Sequence, residues 1–211
     1  MSELRKIYLI RHCEPELPKG IPVCIGKTDI PLSNIGRSQA NVLKEFFSHI
    51  EINSIFSSPL IRARETAEII SDKKLKVIVK NDFSEFDIGK WDGMSFAEIK
   101  EKYPKEYLER GENLENYIVE GGESMAHCRR RALTALYQTI DESNGNILIA
   151  AHAGVNRCIL SGILGINIKD SFKLRHEYGS VNILNYDGIK LTSGKIGLCS
   201  TELSKESVCA Q

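Results

Sequence analysis

Short apolar runs alternate with longer segments of helical period along most of this chain. Lys6-Ile7-Tyr8-Leu9-Ile10 is apolar at nearly every position, the pattern of a short buried strand. Ile52 to Ser57, Leu75 to Val79 and the run Ile147-Leu148-Ile149-Ala150-Ala151-His152 read the same way. Between the first two lies Leu32-Ser33-Asn34-Ile35-Gly36, in which Ser33 is a good N-cap, followed by Ala40, Leu43, Phe46 and Phe47 at helical spacing. Ser58 and Pro59 predict the start of a second helix through Ala63, Ala67 and Ile70, with Ser58 as its cap. A third, which Ser124 can cap, runs from about Ser124 to about Ile140, and a fourth follows Gly154. Asp187-Gly188, between Val181–Tyr186 and Ile189–Thr192, predicts a late hairpin. Strands that alternate with helices predict an α/β fold of three layers, α/β/α, around a mostly parallel sheet.

Two stretches break this rhythm. The loop after the first strand is rich in Pro and Gly (Pro15, Pro18, Gly20, Pro22, Gly26, Pro31). The middle, Phe83 to Val119, is polar and aromatic, with Trp91, Phe96, Tyr103, Tyr107 and Tyr117, and reads as a helical insertion over the sheet. The tail from Ser200 is polar and expected to fray. At 211 residues, 42% apolar and 27% charged, the chain fits one domain, residues 1–211, with a sizeable core. Its 28 basic and 28 acidic residues cancel, and no basic stripe is visible, so nucleic acid is not an expected partner. Six cysteines without a Cys-x-x-Cys, no signal-like N-terminus and no membrane-length apolar run fit free thiols in the cytoplasm, away from membranes.

The candidate chemistry sits at the strand ends. Arg11 and His12 follow the first strand, Ser57 through Arg64 follow the second, Glu85 comes after the third and His152 ends the fourth. In a doubly wound sheet these positions converge on one crevice. Two histidines, two or more arginines and a carboxylate fit phosphoryl transfer. Arginine forks match phosphate oxygens, neutral imidazole is a nucleophile, and a carboxyl group can protonate the leaving oxygen. Each residue taken singly has a plainer reading. Arg64 spaced four from Glu68 fits an exposed helix pair, and Glu85 beside Asp82 and Asp87 fits a solvated acidic loop. Their shared placement favours a site.

These residues resemble the histidine phosphatase superfamily, which includes the cofactor-dependent phosphoglycerate mutases. The matching blocks are Leu9-Ile10-Arg11-His12-Cys13-Glu14, Gly26 to Gly36, Ser57 to Ala67, Glu85 to Gly93, Gly121-Gly122-Glu123-Ser124 and Ala151-His152-Ala153-Gly154. The resemblance implies a phosphoglycerate mutase-like fold with His12 as the phosphorylated nucleophile. It makes Arg11, Arg62 and His152 the phosphate pocket, Glu85 the proton donor, and Ile25, Gly26 and Ala153 part of the substrate side. Within the family the chain is similar to the small α-ribazole phosphatases of cobalamin biosynthesis and their broad-specificity relatives. The implied activity is that of a histidine acid phosphatase-type phosphomonoesterase acting on a small phosphorylated metabolite, without metal or cofactor. A phosphoglycerate mutase and a non-catalytic phosphate-ligand binder are the alternatives. Cys13 stands where the family usually has glycine, Pro18 where it often has asparagine, and Ile25 where mutases usually have a hydroxyl residue. These departures weaken the mutase reading more than the phosphatase one.

Overall fold

The computed structural model describes residues 4–17, 23–199 and 202. Its strands are β1 (Arg5–Arg11), β2 (Ser54–Ser57), β3 (Val77–Val79), β4 (Ile147–Ala151), β5 (Val181–Tyr186) and β6 (Leu191–Ser193). Its helices are α1 (Asn34–Ser48), α2 (Ile61–Ser71), α3 (Phe96–Lys102), α4 (Pro104–Glu112), α5 (Met125–Asp141), α6 (Ala153–Leu164) and α7 (Ile168–Ser171). The six strands form one sheet in the order β3-β2-β4-β1-β5-β6. β3, β2, β4 and β1 run parallel, and the hairpin β5-β6 adds an antiparallel edge beside β1.

Every residue of β4 is buried, as a central parallel strand covered on both faces requires. Alternation along the strands sorts the core into two layers. Ile7, Leu9, Ile147 and Ile149 pack with apolar residues of α5 and α6. Tyr8, Ile10, Leu148 and Ala150 face the other way, onto α1 and α2. The expected three-layer α/β/α fold is therefore present.

Two predicted caps hold. Ser33 accepts from the Gly36 N–H at 3.0 Å, and Ser124 from the His127 N–H at 3.1 Å. Ser58 does not cap α2, which begins three residues later at Ile61. Its hydroxyl lies buried at the end of β2 and accepts from the Leu60 N–H at 3.2 Å, while Asp29 takes the first helical N–H, that of Ile61, at 2.6 Å. The helix after β4 starts at Ala153, before the expected Gly154, and the short α7 carries too little periodic pattern to be read from sequence. Pro18, Gly20, Pro22 and the tail from Ser200, Glu202 apart, lie outside the described residues.

The insertion is a lid on a closed neck. Lys90 N–H donates to Glu120 O at 2.9 Å, and Glu123 N–H to Asp87 O at 2.9 Å, so the segment's two roots are joined backbone to backbone. Gly89 (φ +54°) sits where a Cβ would meet Glu120 O at 2.1 Å. The lid helices α3 and α4 hang from this neck.

The loop after β1 is held by a second close approach. A Cβ on Gly36 would lie 2.0 Å from the Glu14 carbonyl oxygen, which belongs to backbone and cannot swing away. Gly36→Ala is expected to lower stability by about 1–3 kcal/mol or more, as overpacking does. A urea-unfolding midpoint equal to wild type would contradict this close packing.

Candidate active site

The ends of β1, β2 and β4 are drawn together by backbone bonds. His12 N–H donates to Ala151 O at 2.8 Å and Ser58 N–H to Ala150 O at 3.0 Å. This puts the rings of His12 and His152 5.1 Å apart, centroid to centroid. His12 Nδ1 lies 2.7 Å from the Cys13 carbonyl oxygen. A carbonyl can only accept, so Nδ1 carries the proton and Nε2 keeps its lone pair. Burial, with Arg62 and Arg11 close by, pushes His12 well below the ordinary histidine range, so the ring stays neutral. His152 is fully buried and pushed down in the same direction, by burial first and then by His12 and the arginines. Its Nε2 is 2.7 Å from Ser58 Oγ, and its buried Nδ1 has no partner among the described residues.

Arg62, 1% exposed, reaches under the loop after β1. Its Nη1 donates to Thr28 O at 2.7 Å and its Nη2 to Gly26 O at 2.8 Å. That loop is fixed in turn by Asp92, whose two carboxylate oxygens accept from the Gly26 and Thr28 N–H groups at 2.8 Å each. Arg11 donates to His176 O at 2.6 Å and lies 3.8 Å over the Tyr178 ring, a cation–π contact. Burial lowers both guanidinium groups from their usual value, yet arginine keeps its charge in proteins.

Glu85 faces the start of α6. Its Oε1 accepts from the Phe86 and Val155 N–H groups at 2.8 and 3.0 Å, and its Oε2 from Gly154 N–H at 3.1 Å. A Cβ on Gly154 would sit 2.6 Å from Glu85 Oε1 and 3.0 Å from Phe86 Cβ, so a larger residue there would displace the carboxylate. Arg131 steadies the same segment, donating to the Asp82 and Glu85 carbonyls at 2.6 and 3.2 Å and pairing with Glu123 at 2.6 Å.

The structure thus brings Arg11, His12, Arg62, Glu85 and His152 together around the strand ends. Gly26 contributes its carbonyl, and Ile25 lines an apolar cavity of about 200 Å³ beside Glu85. Ala153 is not on that wall; Gly154 is, because α6 turns the next residue inward. Arg64 is exposed and outside the site. Sequence reasoning missed Tyr178 and His176, and the partnership of Ser58 with His152. The antiparallel register, Ile10 opposite Val181, places residues just before β5 against the end of β1, so Tyr178 and Gly179 were legible once that pairing is known. Cys13 has no positive φ; its buried thiol is pushed up to about 12 by burial and packs in the core behind the site.

The family model of the histidine phosphatase superfamily, branch 1, matches residues 7–196. Phosphoserine phosphatase 1 of Hydrogenobacter thermophilus is 29% identical over 184 residues, covering 86% of this chain and 87% of that protein. The uncharacterized phosphatase PhoE of Bacillus subtilis is 33% identical over 162 residues, covering 75% and 77%. The α-ribazole phosphatase from Shigella flexneri superposes with a TM-score of 0.82 at 20% identity, over 92% of this chain and 96% of that one. Its likeness establishes the shared fold. With a family model spanning nearly the whole length and the motif residues assembled at the strand ends, the chain belongs to the histidine phosphatase superfamily, branch 1.

Proposed function

We propose that this protein is a metal-independent phosphomonoester hydrolase working through a phosphohistidine on His12. The observation that carries the reading is the tautomer of His12. Its Nδ1–H is held by the Cys13 carbonyl, which leaves a neutral Nε2 beside two arginines that make no hydrogen bond to a carboxylate among the described residues.

In the first step Nε2 attacks phosphorus and the bond to the leaving oxygen breaks. Arg11, Arg62 and the unpartnered Nδ1–H of His152 hold the oxygens that gather charge. The Ser58 hydroxyl, 2.7 Å from His152 Nε2, is placed to donate a hydrogen bond there, the arrangement that leaves the ring proton on Nδ1. The leaving oxygen takes its proton from Glu85. Oε2, with one bond, the longest of the three, is the atom able to carry it. In the second step the Glu85 carboxylate takes a proton from water, the water oxygen attacks phosphorus, the N–P bond breaks and neutral His12 returns.

The substrate is a small phosphorylated metabolite. α-Ribazole 5'-phosphate is one candidate, supported by the fold likeness to the Shigella flexneri enzyme, and phosphoserine is another, supported by the Hydrogenobacter relative. Among the described residues the cavity offers a single cation, Arg110, on an otherwise largely apolar wall, and this supports hydrolysis over a mutase reaction, which has to seat a second phosphate. A cytoplasmic location fits such a substrate; no helix among the described residues is long and apolar enough to cross a membrane.

Incubation with phenyl phosphate followed by acid-free mass spectrometry is expected to find phosphate on His12. His12→Ala is expected to be inactive, and a chelator to leave the wild-type rate unchanged. Equal rates for His12→Ala and wild type would overturn the assignment. Glu85→Gln is expected to slow alkyl phosphates by roughly 10²–10⁴-fold and aryl phosphates much less, since good leaving groups need less protonation. A uniform loss across leaving groups would contradict the role of proton donor.

The pH profile carries a sign as well. Attack needs unprotonated His12, and burial holds its value well below 6.5. The acid limb of kcat/KM, corrected for ionisation of the substrate, should therefore fall below pH 6.5. A limb at or above pH 6.5 would show that His12 is not held neutral.

A further inference from the structure

Arg11 holds its charge in the site without a bonded carboxylate among the described residues. Burial disfavours that charge, and Glu85 acts on it only through space. Its Nη1 donates to His176 O at 2.6 Å, and the ring of Tyr178 lies 3.8 Å from the guanidinium carbon. A ring face stabilises a guanidinium most where water has been stripped from it. It does so through a quadrupole and adds no net charge, so the whole charge of Arg11 stays available to a phosphate. A carboxylate in the same place would repel that phosphate. The flat contact also sets the plane of the guanidinium, and the plane decides whether its donors meet phosphate oxygens.

The backbone before β5 is built to put the ring there. Ser180 N–H donates to Glu177 O at 3.0 Å, closing a turn in which Gly179 takes φ +70°. The Gly179 N–H is shared between the Arg11 and His12 carbonyl oxygens at 3.2 Å each, and Arg11 N–H donates to Ser180 O at 3.0 Å. Tyr178 is therefore carried on the same bonds that fix the two residues beside it. Its ring lies 5.5 Å from that of His12, centroid to centroid. Half-buried itself, Tyr178 also lines a solvent-open groove with Glu14, Pro15 and Leu17. The ring thus stands between that groove and His12, which is only 5% exposed.

We propose that Tyr178 is a positioning residue for phosphoryl transfer: its face holds the Arg11 guanidinium in the plane that meets the phosphate, and its bulk keeps water in the groove away from His12. The part played in turnover rests on the phosphatase reading; the hold on Arg11 is measurable in phosphate binding alone. Both tasks belong to the ring and neither to the hydroxyl. Burial is the first cause of the low His12 value, and the charged and titratable neighbours that add to it are Arg62, Arg11 and His176, with the His152 ring 5.1 Å away. Water admitted beside His12, or an Arg11 free to move off, would each raise that value.

Wild type, Tyr178→Phe and Tyr178→Leu are compared by calorimetric titration with inorganic phosphate and by kcat/KM for phenyl phosphate. Tyr178→Phe is expected to stay within about twofold of wild type in both, since it keeps the ring face. Tyr178→Leu should weaken phosphate binding and lower kcat/KM by roughly tenfold each, within the range of a desolvated cation–π contact. In an Arg11→Lys background the same substitution should cost less than about threefold in phosphate affinity, because the planar cation is gone. The acid limb of kcat/KM should move to higher pH in Tyr178→Leu and stay in place in Tyr178→Phe. Loss of packing alone would cost the same in both backgrounds and leave the limb where it is. A Tyr178→Leu protein equal to wild type, a loss as large in Tyr178→Phe, or equal costs in the two backgrounds would overturn the hold on Arg11, and an unmoved limb would overturn the exclusion of water. No turnover by wild type, alongside phosphate binding that depends on Tyr178, would sink the phosphatase reading and leave the hold on Arg11 standing.

Discussion

The buried guanidinium of Arg62 is the constraint around which the rest is organised. A cation almost without solvent contact must have each donor matched or reserved for a ligand. Two of its donors go to the Gly26 and Thr28 carbonyls, which a loop exposes only if its own N–H groups are held from outside. Asp92 holds them, and Asp29 in the same loop caps the helix that carries Arg62. The loop, the root of the lid and α2 are thus one electrostatic unit. The Gly26–Gly36 and Glu85–Gly93 blocks are two sides of a support for one arginine.

The histidines follow a different logic. Strand ends bring His12 and His152 into contact distance, where two charged rings would repel each other and the arginines. Burial removes that conflict by keeping both neutral. The same burial accommodates Cys13. With no positive φ to relieve and its thiol protonated in the core, the residue is a packing element behind the nucleophile. Its carbonyl, a group every residue has, is what touches the His12 ring.

Much of this was legible in the sequence because it is local or periodic. β1 and β4 read clearly since strands covered on both faces are apolar throughout, and the Ser33 and Ser124 caps hold because capping is settled within three residues. Ser58 was misread for the same reason. Its local pattern fits a cap, but a through-space partner, His152, lies 94 residues away in sequence. Tyr178, His176, Asp29 and Asp92 act through partners far along the chain, and no spacing rule reports such pairs. The lid was the least readable part, since its short helices owe more to the neck and to packing around Trp91 than to a periodic face.

The closed neck of the lid has an evolutionary corollary. Lys90 with Glu120, and Asp87 with Glu123, seal the segment at its base, while Asp92 and Arg131 tie that base to the phosphate loop and the acid. Among the described residues, only the bonds of Gly93 and Met94 with Cys24, and the bridge of Ser95 with Val23, reach from above the seal to the loop beneath. The helices above it are free to lengthen, shorten or change composition without moving His12 or Arg62. Such a chain can exchange leaving-group preference by replacing α3 and α4, residues 96–112, as a cassette. A lineage built this way would diversify in substrate while its reactive centre stayed the same.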